Sequence, residues 1–215
     1  MSFVPSTLLS QCLIDGCGDT VVVFAHGAGA NMHHEFMTTM ASGLSKAGFQ
    51  VVRFNFPYMQ ANAKDGKRRP PDRAPKLVAH FDAQLQALKA ELQPKRVVLM
   101  GKSMGGRMAA ILAADTTVDA VICLGYPFAP KPESEPRIEP IEQNHAPMLI
   151  VQGDRDKFGT RDQIRAWPIP SRVQFEWLND GDHSFKPRKV SGATLAGNMS
   201  QAISACIQFI GELDA

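Results

Sequence analysis

The chain has 215 residues, of which 44% are hydrophobic and 20% charged, and its formal net charge is +2. That length buries one sizeable core, and the mix excludes extended disorder. So small a charge excludes nucleic acid as the main partner. No apolar run approaches the roughly 18–20 residues that cross a bilayer, so no membrane partner is expected. From Met1 to Asp15 there is no Lys or Arg, hence no positive start of a secretory signal. The cysteines, Cys12, Cys17, Cys123 and Cys206, match neither a metal site nor a CxxC pair. Cys123 lies in an apolar run and Cys206 on a helical stripe, so both read as small buried hydrophobes in a reducing cytoplasm.

Short β-branched runs occupy residues 20–26, 50–55, 96–101, 118–124, 147–152 and 172–178. The middle ones are almost wholly apolar, as in strands covered on both faces. The last alternates Val173, Phe175 and Trp177 with Gln174 and Glu176, which suits a strand near the sheet edge. There is room for one more strand before Thr20. Between the runs lie helical stripes. Phe36, Met40 and Leu44 form the first, stopped by Gly48. Leu77, Phe81, Leu85, Leu88 and Leu92 form the second, opened by Pro75. Leu195, Met199, Ile203, Cys206 and Ile210 form the third, closed by Gly211. Alternation of strand and helix predicts a single domain over residues 1–215. Its architecture is a three-layer α/β/α sandwich on one mostly parallel sheet of about six or seven strands.

Two segments lack periodicity and read as long loops, which in compact domains are often functional. Residues 59–73 are basic and proline-containing. From Lys64 to Lys76 there are six basic and two acidic side chains; such a loop either draws an anionic substrate to a site mouth or is simply a solvated face. Residues 126–146 carry five prolines, Pro127, Pro130, Pro132, Pro136 and Pro140. So many prolines rule out a multi-helix cap and suggest an extended surface loop with Phe128 at a site rim.

The chemistry-bearing residues follow the strands. Gly101-Lys102-Ser103-Met104-Gly105 fits G-x-S-x-G at a strand–helix junction, where flanking glycines allow the sharp turn that exposes a nucleophilic serine. Ser103 also opens a helix whose N-terminus favours developing negative charge. His26-Gly27-Ala28-Gly29-Ala30 makes a small-residue turn. Its Ala28 amide, with that of Met104, can meet a tetrahedral oxyanion, while His26 orients backbone. Gly153-Asp154-Arg155-Asp156 offers two carboxylates to orient a histidine, and Gly181-Asp182-His183 supplies that histidine. Taken alone, each is equally an ordinary turn. Together they run in the order Ser, Asp, His, each after a strand, so all emerge at one end of the sheet. His33 and His34 follow the oxyanion turn as helix-surface residues, and His80 and His145 read as surface.

The stretches 23–30, 53–58, 101–107 and 153–156 make the chain resemble the α/β-hydrolase superfamily over nearly its full length. The likeness is to a small branch related to dienelactone hydrolases that includes testis-expressed protein 30. In that superfamily the acid closes a G-x-x-D turn, which maps to Asp156, with Asp154 as the alternative. The resemblance implies a catalytic triad of Ser103, Asp156 and His183, an oxyanion hole from the amides of Ala28 and Met104, and no metal or organic cofactor. It implies hydrolysis of a carboxylester, thioester or lactone of a small-molecule substrate through an acyl-enzyme. Dienelactone hydrolases use a cysteine nucleophile, so their substrate does not carry over. The same branch resembles a scaffold subunit of a histone acetyltransferase complex, which makes a non-catalytic interaction module the rival reading. Oligomeric state is not legible.

Overall fold

The computed structural model describes residues 9–131 and 133–214. Among them, seven strands form one sheet: β1 (Leu13–Asp15), β2 (Thr20–Ala25), β3 (Gln50–Phe54), β4 (Arg96–Lys102), β5 (Ala120–Leu124), β6 (Met148–Gly153) and β7 (Val173–Leu178). Their order is β1-β3-β2-β4-β5-β6-β7. All neighbours pair in parallel except β1, which runs antiparallel to β3. The alternating run 172–178 is indeed an edge strand, and one strand does precede Thr20.

The helices are α1 (Glu35–Lys46), α2 (Pro57–Asp65), α3 (Ala74–Leu92), α4 (Met104–Asp115), α5 (Glu139–Gln143), α6 (Arg161–Ala166) and α7 (Leu195–Gly211). Side chains alternate across a strand, so β2 feeds two cores. Val21, Val23 and Ala25 pack with Leu77, Phe81 and Leu85 of α3 and Met108 of α4. Val22 and Phe24 pack with Met37 and Met40 of α1 and Cys206 and Ile210 of α7. This is the expected three-layer sandwich, with α1 and α7 on one face. Each fully buried aliphatic side chain contributes roughly 1.5–3 kcal/mol. Cys123 and Cys206 are both buried. No helix among the described residues is long and apolar enough to cross a membrane.

Three expectations are corrected. Residues 59–73 are not all loop, because α2 covers their first half. Pro57 opens that helix where its missing N–H costs nothing, but only Tyr58 is buried, so no apolar stripe betrays it. Phe128 is not at a rim. It is fully buried, with ring centroids 4.7 Å from Tyr126 and 5.4 Å from Trp167. The segment folds inward there because burying an aromatic ring outweighs wrapping the surface; the Tyr126 hydroxyl donates to the Arg137 carbonyl at 2.9 Å, and Arg137 N–H to that of Phe128 at 2.9 Å. Pro132 lies outside the described residues. Third, His80 is half-buried, with Nε2 3.2 Å from the Asn55 carbonyl and its ring against Phe54.

Candidate active site

Ser103 sits between β4 and α4 with φ 51° and ψ −114°. A non-glycine residue held there stores about 1–3 kcal/mol of strain. The surroundings over-determine it: Ser103 N–H donates to the Leu124 carbonyl at 2.9 Å, and Arg107 N–H to the Ser103 carbonyl at 3.1 Å. The flanking glycines are needed for close approach. A β-carbon on Gly101 would overlap the backbone of Gly105 and Gly106, and one on Gly105 would overlap the carbonyls of Ala25 and His26. Helix α4 therefore lies tight against the ends of β2 and β4 and presents the serine hydroxyl above the sheet.

The histidine comes from the loop after β7. His183 Nε2 is 2.8 Å from Ser103 Oγ, and His183 Nδ1 is 2.7 Å from Asp156 Oδ2. Asp156 is fully buried in the turn after β6. Its Oδ2 also accepts from Gln152 Nε2 at 3.0 Å, and its Oδ1 from Phe158 N–H at 2.9 Å. These donors hold the carboxylate in place. The partner of His183 is thus Asp156 and not Asp154, whose Oδ1 is buried without a hydrogen bond. Burial pushes the His183 imidazole below its ordinary pKa; the hydrogen bond to Asp156 opposes this, and Lys102 adds to it. Phe158 closes one side of the ring edge-to-face at 4.5 Å.

The loop that carries His183 is anchored from several sides. Asp180 accepts from Arg188 N–H at 2.6 Å and from Arg155 Nε at 2.8 Å. Its hydrogen bonds to Arg188 hold its carboxyl well below the usual carboxylate range. From α7, Asn198 Nδ2 donates to the carbonyls of Phe185 at 2.8 Å and Asn179 at 3.1 Å.

Across from the serine, the turn after β2 is fixed by His26, as expected. This imidazole is fully buried. Its Nδ1 lies 2.7 Å from the Gly27 carbonyl, and its Nε2 accepts from Phe56 N–H at 3.0 Å, which sets the proton on Nδ1. The Tyr58 hydroxyl donates to the Ala28 carbonyl at 3.1 Å. Ala28 lines the same cleft as Ser103. Met104 is the first residue of α4, where backbone N–H groups have no partner within the helix.

The cleft encloses about 780 Å³ and is walled by Gly27 to Ala30, Phe36, Met37, Phe158 and the loop of His183. Its cationic groups are Lys102, Arg155 and Lys157, and Asp182 also lines it. The basic segment from Lys64 to Lys76 contributes no lining residue; two of its cations pair locally, Arg69 with Asp65 and Lys76 with Asp72. His34 lines the cleft and caps α1, accepting from Phe36 N–H at 3.2 Å, whereas His33 is exposed outside it. Sequence reasoning missed Lys102, Gln152 and Phe158. Only Gln152 carried a signal, as a polar residue ending an apolar run.

A family model described as an alpha/beta hydrolase domain matches residues 18–211. Among solved structures, the chain is similar to an alpha-beta serine hydrolase homologue from Coxiella burnetii, with TM-score 0.69 and 22% identity over 92% of this chain and 89% of that one. It is similar to a serine hydrolase without lid from Xanthomonas campestris, with TM-score 0.68 and 18% identity over 92% and 87%. A dienelactone hydrolase from Anabaena variabilis gives TM-score 0.69 and 18% identity over 97% and 88%. At these identities the likeness is one of fold.

Proposed function

The chain belongs to the alpha/beta hydrolase family, and from that membership we propose that it is a serine hydrolase cleaving an ester-like bond of a small substrate through an acyl-enzyme. One observation carries the reading: the unbroken run of hydrogen-bond contacts from Ser103 Oγ to His183 at 2.8 Å and from His183 to Asp156 at 2.7 Å. It supports Ser103 as nucleophile, His183 as general base and Asp156 as the orienting acid.

In this mechanism Ser103 Oγ attacks the carbonyl carbon of a carboxylester, thioester or lactone as its proton passes to His183 Nε2. Asp156 keeps the other imidazole proton on Nδ1 and stabilises the imidazolium without taking that proton. The oxyanion forms against the amides of Ala28 and Met104. Collapse breaks the bond to the leaving group, which takes the proton from His183. Water then attacks the acyl-enzyme with His183 as base, releasing the acid and restoring Ser103.

A fluorophosphonate probe tests this. The adduct is expected on Ser103 by peptide mass spectrometry and is expected to vanish in Ser103→Ala. Folded wild-type protein that takes no label would return the chain to the non-catalytic, interaction-module reading.

A further inference from the structure

We propose that Lys102 is a positioning residue of this site, whose ammonium ties the loop of His183 to the serine turn and holds the imidazole in its neutral, proton-accepting form. The proposal rests on the reading of Ser103, His183 and Asp156 given above. Lys102 ends β4 and immediately precedes Ser103. Its Nζ donates to the backbone carbonyl of His183 at 2.6 Å. One side chain thus bridges the two segments whose spacing sets the serine–histidine hydrogen bond. Two ring faces hold the ammonium, Phe36 of α1 at 5.5 Å and Phe185 of the histidine loop at 5.6 Å.

The neighbouring backbone is shaped for this arrangement. Gly125, just past β5, has φ +64°, and a β-carbon there would lie 2.8 Å from Lys102 Nζ and 3.4 Å from His183 Nδ1. A side chain there would displace the ammonium, at a φ that L residues rarely adopt. No carboxylate among the described residues is hydrogen-bonded to the ammonium; Asp156 and Asp182 act on it through space. Burial lowers its pKa to about 8, which leaves it mostly protonated at neutral pH.

A cation so placed has a definite effect on the base. The charged groups that bear on His183 are Asp156, which favours the imidazolium, and Lys102 and Lys157, which oppose it. Asp156 alone would raise the histidine and leave it protonated in mildly acidic solution, unable to accept the serine proton. Lys102 offsets part of that pull in the resting enzyme. Once the oxyanion forms, its negative charge compensates the extra positive charge of the imidazolium.

The test compares kcat/KM against pH for wild type, Lys102→Met and Lys102→Arg on p-nitrophenyl acetate. Methionine keeps the unbranched shape between the two rings and removes the charge and the donor; arginine keeps both. The acid limb of Lys102→Met is expected to move to higher pH, so that its loss on that limb exceeds its loss on the plateau by about three- to tenfold. Lys102→Arg is expected to restore the wild-type limb. A purely structural lysine would lower the rate at every pH and leave the limb in place, and that result would overturn the proposal. Should Lys102→Met fail to fold, NMR titrations of His183 in wild type and Lys102→Gln decide instead. A midpoint that rises in Lys102→Gln supports the proposal, and one that stays in place refutes it. A wild-type enzyme that neither hydrolyses esters nor labels at Ser103 would remove the underlying triad reading, an outcome distinct from an active enzyme whose limb does not move.

Discussion

Two carboxylates lie two positions apart in one turn, and their surroundings differ. Asp156 is fully buried, with donors on both oxygens, and faces His183 Nδ1. Asp154 leaves one oxygen without a hydrogen bond. Asp156→Asn can donate to Nδ1 and so favours the wrong histidine tautomer; its turnover is expected to fall on the order of 10⁴-fold. Asp154→Asn is expected to stay within about tenfold of wild type. Parallel rates of ester hydrolysis decide the matter, and a crippled Asp154→Asn would reverse the assignment. Ser103, Asp156 and His183 were legible because each is a reactive residue in a glycine-containing turn directly after an apolar run. Lys102 was not. Beside a serine in the sequence, a lysine reads as solvated, and only the packing of Phe36 and Phe185, distant in the chain, makes it a half-buried cation.

Among the elements, those with an apolar stripe were read correctly and those without one were lost. Helix α3 announces itself through Leu77, Phe81, Leu85 and Leu88, all buried; α2 buries only Tyr58 and reads as loop. The segment over residues 126–146 was rightly expected to form no multi-helix cap, since the one helix among its described residues, α5, spans five residues. None of its described residues lines the cleft, so these supply neither lid nor rim. That segment adds no apolar wall beyond Phe36, Met37 and Phe158 to cover a long acyl chain, and each methylene left in water forgoes roughly 0.8 kcal/mol. Rates are therefore expected to be highest for short acyl chains and not to rise with length. Measuring kcat/KM for p-nitrophenyl esters from acetate to palmitate checks this, and an optimum at about ten or more carbons would show that another surface grips the chain.

At the scale of the whole molecule, the alternation of runs gave the layers, but nothing local specifies the order in which strands pair. That order depends on crossovers closing over long sequence distances. It matters because β2 and β4 are neighbours, which sets the turn of Ala28 beside Ser103. The price of building that turn is a neutral imidazole in the core. Burial lowers the pKa of His26 from 6.5 to about 4, against the opposing hydrogen bond to Gly27. Protonation would also turn Nε2 into a donor facing the Phe56 N–H that it now accepts. Since the folded pKa lies below the unfolded one, the unfolded chain binds more protons between these values. The stability tied to neutral His26 is therefore complete above about pH 6.5, shrinks as pH falls, and is fully lost near pH 4. Between about pH 7.5 and about pH 5, His26 is expected to withdraw about 2 kcal/mol from the free energy of unfolding. The lowered pKa values of His80 and His183 act in the same direction. Urea unfolding of wild type and His26→Asn at both pH values isolates the contribution. Asparagine can donate to the Gly27 carbonyl without titrating. The variant is expected to be less stable near pH 7.5, through the volume it leaves empty, yet to lose about 2 kcal/mol less than wild type on acidification. Equal losses in the two proteins would mean that His26 takes up its proton inside the folded structure at no cost, and that other groups drive acid unfolding.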